Sequence, residues 1–180
     1  VQEITRKKNE ARLWEEVKPL LSGLTDKLAY EGNIGHFLNA TYEEAMVWAR
    51  YGAFAAEKLW HWMAKYLPED KVLLILYERL GNYHQTTGNL SQALLFFGQC
   101  NSLAEQIHKA WPDNASFKNV FAISYEKLGD THRSQGNLDK ALEYFKRYNR
   151  LEKELYESFP QNESFKNGLA ISYLKMGETH

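Results

Sequence analysis

The sequence predicts an all-α fold, an α-solenoid of stacked antiparallel helix pairs, and three observations carry that prediction. A block recurs at a spacing of 48 residues: Ser116-Phe117-Lys118-Asn119, Ala122-Ile123-Ser124-Tyr125 and Gly129 return as Ser164-Phe165-Lys166-Asn167, Ala170-Ile171-Ser172-Tyr173 and Gly177. Between Asn114–His132 and Asn162–His180, 13 of 19 positions are identical, which marks an array and exceeds anything shared helix propensity would produce. Within each copy the apolar residues fall three and four apart, and no segment alternates in the manner of a strand. The period also runs backwards. Gly88-Asn89-Leu90 precedes Gly136-Asn137-Leu138, Leu80-Gly81 precedes Leu128-Gly129, and His36, His84, His132 and His180 form one series.

Residues 1–40 read as an N-terminal helical region or cap, with Ile4 to Leu28 forming one or two helices interrupted at Pro19 and Ser22-Gly23. Residues 41–68 read as the helix of a degenerate repeat. Tyr42, Ala45 and His36 sit one period before Leu90, Ala93 and His84, while the Leu-Gly element is missing. Trp48, Tyr51, Phe54, Trp60, Trp62 and Met63 spread over more than one helical face, so this helix wants burial on several sides. Two roles stay open for the Trp-rich stretch, a cap over the first repeat or a docking surface.

Residues 69–113 and 114–161 read as two full repeats and 162–180 as a third reduced to its first helix. In the clearest copy Phe117, Phe121, Tyr125 and Leu128 form the stripe of helix A, which should stop near Ser134 because Gln135-Gly136-Asn137 is a turn. Leu138, Ala141, Leu142, Phe145, Tyr148, Leu151 and Leu155 form the stripe of helix B, and Pro160 ends it. Gly129 and Ala141 are small at fixed points, which predicts close approach of the two helices. Glu143 with Arg147 and Lys153 with Glu157 read as solvated pairs on the outer face.

Tyr125, Leu128, Gly129, His132, Gly136, Ala141, Phe145 and Tyr148 resemble, in type and spacing, the signature of the tetratricopeptide repeat. Tyr77, Leu80, Gly81, His84, Gly88, Ala93, Phe97 and Cys100 repeat it, and Tyr173, Met176, Gly177 and His180 begin it again. The chain departs from the family in two ways. Histidine stands where tyrosine is usual, and the period of 48 exceeds the 34 residues of the ordinary repeat. Added helical turns at Ser116 to Ala122 and at Glu154 to Phe159 account for the excess, which makes this a long-period variant of the kind found in larger bacterial-type repeat proteins.

Composition narrows the function. With 180 residues, 44% hydrophobic and 14% aromatic, the chain has ample material for a core. A formal charge of −1 gives no electrostatic reason to expect nucleic acid or an anionic membrane, and Arg6-Lys7-Lys8 is the one basic cluster. The longest uncharged apolar run, Val72 to Tyr77, is far short of the ~20 residues of a membrane-spanning helix. A single cysteine, Cys100, excludes an internal disulfide and a cysteine-based zinc site, and points to a cytoplasmic location. The start at Val1 and the stop at His180 read as the limits of a piece of a longer protein.

No catalytic, cofactor or metal site is expected. The four histidines of the series lie about one helix pair apart, too far for one ion held at ~2.0–2.1 Å, and read as packing residues. Cys100 takes the slot that Tyr148 fills one copy later, again a packing position. Carboxylates are scattered and no phosphate loop occurs.

The resemblance implies a non-catalytic scaffold that binds a protein or peptide on the concave face of the A helices. The residues it places there are Glu78, Asn82 and Gln85, then Glu126, Asp130 and Arg133, then Leu174 and Glu178. The added turn puts Asn119 and Asn167 on the same face, where an amide can both donate to and accept from a peptide backbone. The partner is a protein, a peptide or another domain of the same chain. A final A helix also leaves Phe165, Leu169 and Tyr173 without a following helix B, which offers an edge for self-association. The alternative reading is the sensor or regulatory arm of a larger signalling enzyme, either a nucleotide-binding switch protein of the STAND type or a caspase-like protease of the CHAT type.

Overall fold

A computed structural model of the protein describes residues 70–179, so the readings made for residues 1–69 and for His180 lie outside the described residues. Among these every regular element is an α-helix: α1 (Asp70–Thr86), α2 (Leu90–Ala110), α3 (Ala115–Ser134), α4 (Leu138–Ser158) and α5 (Glu163–Thr179). The principal contacts join each helix to the next in the chain, α1 to α2, α2 to α3, α3 to α4 and α4 to α5. That is the all-α helical-repeat solenoid the period predicts, with α1, α3 and α5 as A helices and α2 and α4 as B helices.

The A-to-B turns show why the sequence repeats glycine and asparagine. Gly88 and Gly136 have φ of +79° and +77°, a conformation a side chain would strain. Around them the chain closes with the double bond of a Schellman motif: Asn89 N donates to His84 O at 2.8 Å and Asn137 N to His132 O at 2.9 Å. The B-to-A turns repeat as well. Trp111 and Phe159 end their helices with φ of −134° and −135°, each just before a proline that cannot extend the helix. Asn114 and Asn162 then cap the next A helix, their Oδ1 atoms accepting from Phe117 N at 3.1 Å and Phe165 N at 3.3 Å.

Inside each pair an aromatic ring sits in a notch left by glycine. A Cβ on Gly129 would lie 2.5 Å from the Phe145 ring, and a Cβ on Gly81 would run into Phe97 in the same way. To the expectation that small residues at Gly129 and Ala141 let the two helices approach, this adds that the glycine makes room for a ring, while Ala141 is fully buried. His84 and His132, the two histidines of the series among the described residues, lie flat on aromatics of the following helix. His84 stacks on Phe96 at 5.5 Å and 7°, His132 on Tyr144 at 5.4 Å and 6°. Burial lowers the pKa of His132, and Lys140 adds to the effect.

Of two further expectations, the Glu143–Arg147 pair is extended and the openness of Phe165 changes. Arg147 does pair with Glu143, yet its guanidinium also lies over the rings of Tyr125 and Tyr144, 5.7 and 5.8 Å from their centroids, so it covers the core edge. Phe165, expected to be open, is buried and meets Phe159 at 5.8 Å, whereas Tyr173 is indeed exposed.

Candidate functional site

The faces of α1, α3 and α5 carry a ladder of polar contacts that steps from one A helix to the next. Lys127 Nζ donates to Asn82 Oδ1 at 3.1 Å, tying α3 to α1. One period on, Lys175 Nζ reaches back from α5 to Glu126 at 2.9 Å and to Asp130. Arg133 joins Asp130 at 3.1 Å on its own helix and Glu178 on α5 at 3.0 Å. The Lys175 ammonium also stands 5.8 Å from the Phe145 ring centroid, over the aromatic that fills the glycine notch. Lys175, Glu126 and Asp130 keep only 16%, 20% and 22% of their side-chain surface, so this triad is screened less than a surface pair.

Beneath the ladder runs a second repeated contact, between a B helix and the next A helix. Asn101 donates to Ser124 Oγ at 2.8 Å and Asn149 to Ser172 Oγ at 2.8 Å. Each serine passes its proton back to the carbonyl one turn earlier, Phe121 O and Leu169 O, at 2.7 Å. Both serine positions are buried, and the clasp leaves the hydroxyls fully bonded.

The residues expected on the face therefore divide. Asn82, Glu126, Asp130, Arg133 and Glu178 are engaged with the neighbouring A helix. Asn119 is half-buried and Asn167 exposed, and neither side chain bonds a described residue. Gln85 is half-buried, and Leu174 is 59% exposed where the previous copy has Glu126. Lys127, Lys175, Asn101 and Asn149 are absent from the expected site although all four recur at the 48-residue spacing. That recurrence was the signal, since polar residues retained at register positions imply a contact between copies.

Glu78 borders a cavity of about 90 Å³ between α1, α2 and α3, together with Phe97, Cys100, Val120, Ile123 and Lys127. The Cys100 thiol is pushed up to about 12 by burial, with Glu78 raising it further and Lys127 opposing, so it stays protonated at neutral pH. Its Sγ lies 3.7 Å from Leu74 O. Among the described residues no group of His, Cys, Asp or Glu is arranged to hold a metal ion, and no helix is long and apolar enough to cross a membrane.

A stack of helix pairs with a polar ladder along one row defines an α-helical repeat domain. Residues 122–154, from within α3 to within α4, match the model of the tetratricopeptide repeat. The match takes in the Gly129 notch, the Gly136 turn and Phe145, and leaves 115–121 of α3 and 155–158 of α4 outside. Repeats of this kind generally mediate protein–protein interaction and are typically not catalytic. No curated protein matches the chain.

Proposed function

We propose that the protein is a recognition module that holds an extended segment of a partner protein, or of another domain of the same chain, along the row formed by α1, α3 and α5. Residues 69–113 and 114–161 act as the two complete repeats of this surface, and 162–180 continues it. The observation that carries the reading is the pair Asn119 and Asn167. These are repeated amides on one face, one helical turn before Ile123 and Ile171, and their side chains are committed to no described neighbour. An amide with free donors and acceptor suits a peptide backbone, and the ion ladder beside it holds the A helices in fixed spacing.

Peptides selected from a displayed random library against the chain supply the test. The double variant Asn119→Ala, Asn167→Ala should weaken the selected peptides by about tenfold, roughly 1.4 kcal/mol. Lys153→Ala on the outer face of α4 should leave them unchanged. Equal affinity for the double variant and the wild type would reject this face as the site.

A further inference from the structure

The two places where an A helix meets its successor across a B helix have matching walls and different fillings. Around the cavity stand Glu78, Phe97, Ile123 and Lys127; one period later the same residue types recur as Glu126, Phe145, Ile171 and Lys175. In the later copy Tyr148 projects from α4 and is 2% exposed. Burial raises its pKa, and the charges of Glu126, which corresponds to Glu78, then Glu152 and Asp130 add to the effect. In the earlier copy the position of Tyr148 is held by Cys100, whose side chain stops at a thiol. The cavity of about 90 Å³ lies where the ring would be.

We propose that this cavity is the anchor pocket for a tyrosine side chain of the bound peptide, the ring between Phe97 and Ile123 and the hydroxyl donating to Glu78. The proposal rests on the peptide-binding reading of the A-helix row and sharpens it. The register itself suggests the occupant, since a buried tyrosine, Tyr148, takes the place of Cys100 one period on, where the same residue types recur. Complementarity of charge favours tyrosine over phenylalanine, because Glu78 has a carboxylate to offer a donor. Val120, 37% exposed where the later copy has Gly168, lines the cavity and adds apolar surface that a guest ring can cover. A buried aromatic anchor of this kind is where binding energy concentrates in peptide recognition.

The test needs no partner. p-Cresol and toluene, the side-chain analogues of tyrosine and phenylalanine, are titrated into the methyl-labelled chain while the Val120 and Ile123 resonances are followed. The expected result is a saturable shift with p-cresol, binding of toluene weaker by about tenfold, and loss of p-cresol binding in Cys100→Tyr. Glu78→Met, which leaves the cavity open, should erase the preference for p-cresol and keeps the test valid if the tyrosine variant does not fold. Unmoved methyls, toluene bound as tightly as p-cresol, or Glu78→Met retaining the preference would each overturn the proposal. Such a failure removes the pocket alone, whereas the Asn119 and Asn167 variants judge the peptide-binding row.

Discussion

The interface of α2 with α3 and that of α4 with α5 are built on one register and filled differently. Both carry the asparagine-to-serine clasp at 2.8 Å. In the first, Ala104 and Val120 stand where the second has Glu152 and Gly168, and Cys100 stands where the second has Tyr148. The Glu152 side chain is accommodated because α5 has glycine opposite it: a Cβ on Gly168 would collide with the Glu152 carboxyl. Glu152 is 1% exposed and its Oε2 has no hydrogen-bond partner. The elements that set the helix pair and the clasp are kept, and the space between them is free to drift. That drift leaves a cavity at one interface and a buried acid at the other.

The largest effect should come from closing the notch. Gly129→Leu drives a side chain into the Phe145 ring and should cost about 3 kcal/mol, read as a lower urea midpoint. Gly177→Ala, at an equivalent position with nothing within 4 Å, should be neutral or gain up to about 1 kcal/mol from helix propensity. Equal losses at the two sites would show that the ring in the notch does not hold the pair.

Next in size is the buried acid. Burial, and then Glu126, push the Glu152 carboxyl up to about 7 from 4.5. Between those values the folded state binds more protons than the unfolded one, so this group's stability is full below about pH 4.5 and is lost as pH rises through about 7. Glu152→Gln should therefore stabilise the protein by about 2 kcal/mol at pH 8 and by little at pH 4. A gain that does not depend on pH would mean that the carboxyl is not protonated in the fold.

The ladder offers a smaller contrast. Lys175→Met takes the shared cation from Glu126 and Asp130, with Arg133 still on Asp130, and should cost about 1–2 kcal/mol, less at high salt. Lys127→Met frees only the Asn82 amide and should cost about half as much. Thermal unfolding at two salt concentrations separates the two, and identical salt dependence would remove the distinction. Smallest and most alike should be Ser124→Ala and Ser172→Ala, about 1 kcal/mol each, because both clasps have the same partners and distances.

The helices and their turns were legible because glycine, proline and asparagine at 48-residue spacing state the backbone directly. Gly136 requires positive φ, Asn114 caps, and Phe145 follows helical spacing. The site was legible only in part. The reading by type put Glu126, Asp130 and Arg133 on the binding row, yet it could not tell that Lys175 and Glu178 of the next copy would take them up. Pairing between copies depends on how far one helix is displaced along the next, and no single repeat encodes that displacement. The fate of Phe165 was hidden for a similar reason, since it meets Phe159 across the proline turn.

That each helix leans chiefly on its neighbour in sequence has a consequence for how the protein is made. Contacts of short sequence separation close without a long search, so the array should assemble rapidly and outward from wherever the first pair forms. Amides in α3, which is held by α2 on one side and α4 on the other, should then exchange slowly with solvent. These five helices should behave less like a single cooperative block than like a short zipper.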